Sequence, residues 1–311
     1  MHGMTVVLVD LTSAELAQRW PSMIALFADA MVENYGVSPA EAAAEAERQT
    51  DELLPAGVHT AGQLLRKGMD GDDEVGFLWI SLPGTTYDTM AWIAEVSVRA
   101  DRRSRGYGSA MLRAGEADLV ERGVRRVGLH VFGVNTGARR LYRRLGYQVL
   151  AQLRTRPVGA PQTTVELEPM SEPEYAARLS EVVERHPVAL TRDPLAPAAR
   201  AREVARVLAP QGVDSPNVFL RHAVSGGRPV GWIWFSLPGP HRPGTGAIHY
   251  LTIDEPYRRR GLGRALLAAA EAEYARHDVG RLGLWIAGPD AGRFADALGL
   301  EVSSEQLVKD L

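Results

Sequence analysis

The apolar positions of the first half fall into short periodic blocks. Val6 to Val9 alternate as a strand. From Thr12 to Asn34 the apolar residues Leu16, Trp20, Met23, Ile24, Phe27 and Met31 recur three and four apart, the spacing of a helix that buries one face. Ser38-Pro39-Ala40-Glu41 reads as a helix start: a serine cap, a proline at the first helical position and a glutamate that closes a capping box. The alanine-rich stretch that follows runs to Leu54, and Pro55-Ala56-Gly57 stops it. Leu64 to Arg66 and Val75 to Ser81 read as strands around the acidic turn Asp70-Gly71-Asp72-Asp73. Further elements follow in order: a strand from Met90 to Val98, a helix from Ser109 to Arg122 and a strand from Val127 to Val131. A helix from Thr136 to Leu145 and a strand from Tyr147 to Leu153 complete the half. The order β-α-α-β-β-β-α-β-α-β predicts an α/β fold with a mixed sheet.

The second half repeats this pattern. Gly76 to Gly84 reads G-F-L-W-I-S-L-P-G and Gly231 to Gly239 reads G-W-I-W-F-S-L-P-G, an offset of 231 − 76 = 155. At the same offset Arg103-Ser104-Arg105-Gly106-Tyr107-Gly108 faces Arg258-Arg259-Arg260-Gly261-Leu262-Gly263. Leu53, Pro55 and Gly57 likewise face Leu208, Pro210 and Gly212. Three matches at one offset indicate a duplicated domain, and the unit is too long for a solenoid repeat. The Pro- and Gly-containing stretch Arg154 to Thr163 reads as the linker, giving domains 1–155 and 162–311.

Composition narrows the chemistry. The chain of 311 residues has no cysteine, which removes disulfides, thiolate metal sites and any cysteinyl intermediate. With 35 basic against 38 acidic residues it lacks the basic footprint of a nucleic-acid binder. It shows no long apolar run and no leader-like start, so the default expectation is a cytoplasmic protein, monomer or homodimer, without a membrane span and without a metal.

The candidate chemistry begins at the glycine turn. Val96-Ser97-Val98 is a strand end, Arg103 to Gly108 a tight turn, and Ser109 onward a helix. Backbone amides exposed at such a helix N-terminus bind anions, phosphates above all. By itself the pattern is equally a polar strand-to-helix turn. It is not a P-loop, which would need Gly-Lys-Ser/Thr. It is not a dinucleotide fingerprint either, since Met111 and Leu266 stand where a third glycine or alanine belongs.

After the next strand comes Asn135-Thr136-Gly137-Ala138-Arg139-Arg140-Leu141-Tyr142-Arg143-Arg144-Leu145-Gly146-Tyr147. R-x-x-G-x-G on a strand-turn-helix, then N-x-x-A-x-x-L-Y and G-Y, resembles the GNAT superfamily of acetyl-CoA-dependent N-acetyltransferases. With the second turn, the resemblance spans most of the chain. It implies two tandem GNAT folds, each a mixed, mostly antiparallel sheet flanked by helices. It also implies that the amides from Arg103 to Ser109 bind the coenzyme A pyrophosphate and that Val96, Ser97 and Val98 pair with its pantetheine arm. Direct attack of an amine on the thioester follows, which agrees with the absence of cysteine.

In this resemblance Tyr142 is the general acid for the departing thiolate; a core tyrosine is the plainer alternative. Asn135 lies near the cofactor arm, or simply caps its helix. The family's usual glutamate position falls on Trp92, so the candidate base is Glu95, aimed by a strand bulge or acting through water. The alternative is that Glu95 is held on the other sheet face or by arginine. Asp29, Glu33 and Asp88 are further candidates to line an amine pocket.

The second copy keeps its turn at Arg258, Arg259, Arg260, Gly261, Leu262 and Gly263 but loses the later motif. Aligning Gly299 with Gly146, an offset of 299 − 146 = 153, puts Ala295 at the place of Tyr142 and Gly288 at that of Asn135. His249, Tyr250 and Tyr274 are better read as core or surface residues than as replacements. Tandem GNAT proteins of about this length are known as a type, and one such family, mycothiol synthase, is assigned chemistry in the second domain; here the motif balance points to the first. The expectation is an N-acetyltransferase for a small-molecule amine, with a protein acetyltransferase or a non-catalytic acyl-CoA sensor as the alternatives.

Overall fold

The computed structural model describes residues 6–35, 37–159, 162–185, 202, 205–239, 244–286 and 289–311. Its elements are β1 (Val7–Asp10), α1 (Ser13–Tyr35), α2 (Pro39–Leu53), β2 (Gln63–Asp70), β3 (Asp73–Ser81), β4 (Ala91–Val98), α3 (Tyr107–Glu121), β5 (Arg126–Phe132), α4 (Thr136–Arg144) and β6 (Gln148–Pro157). The second half follows with β7 (Glu166–Pro169), α5 (Glu172–Arg185), β8 (Val218–Ser225), β9 (Arg228–Ser236), β10 (Thr245–Ile253), α6 (Leu262–Arg276), β11 (Arg281–Ile286), α7 (Pro289–Ala297) and β12 (Glu301–Asp310). The α/β class and the element order of the first half match the sequence pattern. Gly288 lies outside the described residues.

Contacts divide the chain into two units. The first is Met1–Asn34, Ser38–Leu150 and Ser304–Leu311; the second is Ala151–Ser303 with Tyr35–Val37. Arg154 to Pro157, expected to begin a linker, instead end strand β6, because their backbone pairs with Leu284 to Arg281 of β11.

In the first unit β1 to β4 form an antiparallel meander, and β5 joins β4 in parallel. The strand beyond β5 is not β6 but the chain's last strand. Ser304 to Asp310 run antiparallel to Phe132 to Arg126. The second unit mirrors this plan. Strands β7 to β10 are antiparallel, β11 is parallel to β10, and β6 takes the place beyond β11. The end strands of the two halves are therefore exchanged. Their registers agree: Lys309 faces Val127 as Arg156 faces Leu282, and Glu305 faces Val131 as Gln152 faces Ile286.

Local chemistry accounts for these elements. Ser38 accepts from the Glu41 amide while the Glu41 carboxylate accepts from the Ser38 amide, so the predicted capping box forms. The Ser38 hydroxyl, at 2.6 Å, and then the Ser38 amide donate to the Glu41 carboxylate and hold it below its usual range. Gly76 and Gly231 sit where a Cβ would come within 2.2 Å of the carbonyl oxygens of Ser97 and Thr252, so each half needs glycine there. One face of the first sheet packs Leu78, Ile80, Ala91, Ile93 and Leu129 with Leu112 and Leu119 of α3. The other packs Phe77 and Trp79 with Leu16 and Met23 of α1.

Candidate active site

The site is built where two parallel strands part. β4 and β5 are paired only from Ala91/Val127 to Ile93/Leu129. Beyond that, among the described residues, the two strands share no register, so the β5-facing edge of Glu95 to Ser97 has no strand paired to it there, the kind of edge an extended chain can join. A bulge drives the parting: Trp79 faces Glu95 and Ile80 faces Ile93, so Ala94 is the extra residue. The second unit has the same construction. β10 pairs β11 only from Thr245 to Ile248, and His249 is its extra residue.

The bulge settles where Glu95 points. Its cross-strand partner Trp79 packs against α1, so the Glu95 carboxyl lies on the α1 face. There Ser97 Oγ donates to Glu95 Oε1 at 2.8 Å. Burial pushes the Glu95 carboxyl above the usual carboxylate range, against the opposing pull of that bond and of the Arg19 charge. Arg19 is itself ion-paired to Glu74 and lies over the Phe77 ring, so it does not lock Glu95. Trp92 is buried against Tyr87 and over Gly128. Asp29, Glu33 and Asp88 are exposed. On the α1 face a mostly apolar groove of about 540 Å³ is lined by Leu16, Trp20, Leu54 and Val58, together with Ser13 at the helix start.

Tyr142 belongs to the opposite face. It is buried in the cluster that holds Ile93, Leu129 and Val131, the residues flanking the parting, and its ring meets Tyr147 edge-on at 5.7 Å. Burial lifts its phenol to about 12. Asn135 Oδ1 accepts from the Ala138 amide at 3.0 Å, so Asn135 caps α4 as one of its two readings foresaw.

The turn is shaped to present amides. Ser104 (φ 61) and Gly106 (φ 95) both adopt left-handed conformations, and Gly106 caps α3 without a side chain. Among the described residues the amides of Ser104, Arg105, Gly106, Tyr107, Gly108 and Ser109 donate to no protein acceptor. These are the orphan donors of a helix start, aligned with its dipole. Arg103 Nε ties the turn to the Val98 carbonyl at 3.2 Å, while the Tyr107 hydroxyl donates to Asp70 at 2.7 Å and leaves only its amide to the turn. Gly108 lies beside Leu141 of α4, where a Cβ would make an ordinary contact at 3.4 Å.

The second turn copies these features. Arg259 (φ 60) and Gly261 (φ 81) take the left-handed positions, and Arg258 Nε donates to the Ile253 carbonyl at 2.9 Å. The amides of Arg259, Arg260, Gly261, Leu262 and Gly263 have no protein acceptor among the described residues. Gly263 meets Phe294 as Gly108 meets Leu141, which places Ala295 at the position of Tyr142. Ala295 is fully buried. Tyr250 stands where Glu95 does and packs on Trp232, and His249 hydrogen-bonds Ser236. Tyr274 is a core residue against Phe235.

Sequence reasoning singled out the turns and Tyr142 as candidates. It missed Glu305, a buried carboxylate on β12 that meets α4; nothing local marks it, because the strand comes from the far end of the chain.

No helix among the described residues is long and apolar enough to cross a membrane. A family profile described as the acetyltransferase (GNAT) family matches residues 20–147 and 188–299. The Bacillus subtilis (strain 168) protein named "Uncharacterized N-acetyltransferase YycN" is 27% identical over 146 residues, 47% of this chain and 94% of that protein. The mycothiol acetyltransferase of Clavibacter sepedonicus is 38% identical over 98 residues, 32% of this chain and 31% of that protein. Among solved structures, a tandem GNAT protein from the clavulanic acid biosynthesis pathway aligns over 98% of both chains with a TM-score of 0.50 and 17% identity, a likeness of fold.

Proposed function

Because the chain belongs to the acetyltransferase (GNAT) family, we propose that its first unit transfers an acetyl group from acetyl-CoA directly to a small-molecule primary amine. The observation that carries this reading is the parting of β4 and β5, with Glu95 on one face and Tyr142 on the other. Base and acid then flank one gap, as an attacking amine and a departing thiolate require.

Acetyl-CoA bound in this gap supplies the acyl group and the thiolate leaving group. The free amides of Ser104 to Ser109 hold its pyrophosphate, and Val96 and Ser97 offer the unpaired strand edge that orients its arm. Glu95, raised toward neutral, removes the amine's proton, directly or through one water. The C–N bond forms as the C–S bond breaks. Tyr142 stays protonated at neutral pH and donates to the sulfur as charge develops. An ordinary thiol has a pKa near ~8.5, about 3.5 units below this phenol. Full transfer would be uphill by roughly 5 kcal/mol, so the help given is chiefly a hydrogen bond.

The second unit keeps the turn and the parted strands but has Ala295 in place of an acid. We assign it binding without transfer. Calorimetric titration of the full chain with acetyl-CoA, followed by thiol release across a panel of amines, tests both parts. Two binding events and release with a primary amine are expected. One event would make the second turn a relic. Release only with peptide substrates would favour a protein acetyltransferase, and none with any acceptor a sensor.

A further inference from the structure

The acid helix α4 carries four arginines, and two of them face a carboxylate from the far end of the chain. Arg139 Nε and Nη2 donate to the two oxygens of Glu305 at 2.8 and 3.0 Å, and Arg143 Nη2 reaches both at 3.2 and 3.4 Å. Arg139 Nη1 also donates to the Gly133 carbonyl at 3.1 Å, tying the start of α4 to the end of β5. Glu305 is fully buried on β12, and its neighbour Leu307 joins the cluster that holds Tyr142. A buried carboxylate is kept charged only by such pairing, and the two-pronged guanidinium contact fixes direction as well as distance. Arg139 and Arg143, four apart, share the helix face beside Tyr142.

The duplicated half supplies a control. At the offset of 153 that places Ala295 at Tyr142, Gly292 stands at Arg139, Asp296 at Arg143 and Gln152 at Glu305. Gln152 holds the same place against β11 that Glu305 holds against β5. The half without the tyrosine lacks all three members of the cluster. There Asp296 pairs instead with Arg154 of β6 at 3.1 Å, a single ion pair whose carboxylate is exposed on the helix rather than buried on the strand.

We propose that Glu305 is a positioning residue for the transfer reaction: through Arg139 and Arg143 it fixes α4 so that Tyr142 meets the departing sulfur. The inference rests on the reading that Tyr142 serves the first unit's site. The test compares the full-length chain with Glu305→Gln, Tyr142→Phe and the double variant, with thermal melting as the check on folding. Glu305→Gln is expected to lower kcat about tenfold to a hundredfold, with the KM for acetyl-CoA changed less than about threefold. In the Tyr142→Phe background it is expected to cost nothing further. A folded Glu305→Gln protein with unchanged kcat, or a loss that multiplies with that of Tyr142→Phe, would overturn the proposal. A second readout is independent of turnover: the carbon-13 signal of labelled Tyr142, identified by its absence in Tyr142→Phe, is expected to shift in Glu305→Gln. If Tyr142→Phe retains full turnover, the functional reading fails, and the signal alone decides whether Glu305 places Tyr142; an unmoved signal overturns that too. Should Glu305→Gln not fold, Arg139→Lys keeps the charge, loses the fork and carries the same comparisons.

Discussion

Tyr142 and Glu95 answer opposite demands with the same means, burial. Desolvation keeps the phenol protonated and lifts the carboxyl toward the range of a useful base. Tyr142→Phe should lower kcat about a hundredfold or more, while calorimetry still detects acetyl-CoA binding; unchanged turnover would remove Tyr142 from the reaction. Glu95 works deprotonated, so thiol release should rise with pH through its raised pKa, and Glu95→Gln should abolish that limb of the profile. Stability moves the other way. A carboxyl whose folded pKa is raised binds its proton more tightly when folded, so its contribution is lost as pH rises through that pKa. Glu95→Gln should therefore melt higher than the parent at pH 7, with the gain vanishing below the ordinary carboxylate range. A lower melting point at pH 7 would contradict the burial assigned to this carboxyl. Tyr142 could be named as a candidate from the sequence because its motif is local. The face taken by Glu95 could not be read there, since the extra residue Ala94 exists only relative to the partner strand β3.

The elements that form the turn were legible for the same reason. A tight, glycine-bearing link between strand and helix has few backbone solutions, and both halves adopt the same one, down to the arginine that caps the strand end. Gly106 and Gly261 each hold a left-handed cap position, which costs a residue with a Cβ roughly 1–2 kcal/mol. Gly106→Ala should weaken acetyl-CoA binding at the first turn and lower turnover. Gly261→Ala should remove or weaken the second binding event and leave turnover intact. Loss of turnover in Gly261→Ala alone would place the chemistry in the wrong half. What the sequence pattern did not show is the parting of β4 from β5. Val127 to Val131 reads as an ordinary strand, and where its pairing stops depends on a bulge in its neighbour.

At the scale of the molecule the duplication at 155 residues was plain, yet the ownership of the end strands was hidden. A repeat fixes how long each half is, not which sheet its last strand joins. The exchange leaves matching marks in both units: Lys309 pairs with the buried Glu116 of α3 as Arg156 pairs with the buried Glu271 of α6, with acids 155 apart and cations 153 apart. Each cation reaches its acid from a strand supplied by the other half of the sequence. The first unit is thus incomplete without residues 304–311. A chain ending at residue 300 would lose Leu307 from the core around Tyr142, at about 2–5 kcal/mol for such a side chain, together with Glu305 and Lys309. It would also leave the edge of β5 unpaired over the seven positions from Arg126 to Phe132. The Leu307 loss alone is a large share of a domain's whole stability, about 5–15 kcal/mol, so thiol release should fall sharply and the first unit should melt below the parent. A peptide of residues 301–311, added in excess, should pair with the vacant edge and restore part of the activity. The same peptide with Glu305→Gln should restore the melting point better than it restores kcat, because the strand's apolar residues refill the core while α4 lacks its anchor. Full activity in the truncated chain without peptide would show that the first unit closes its sheet without β12.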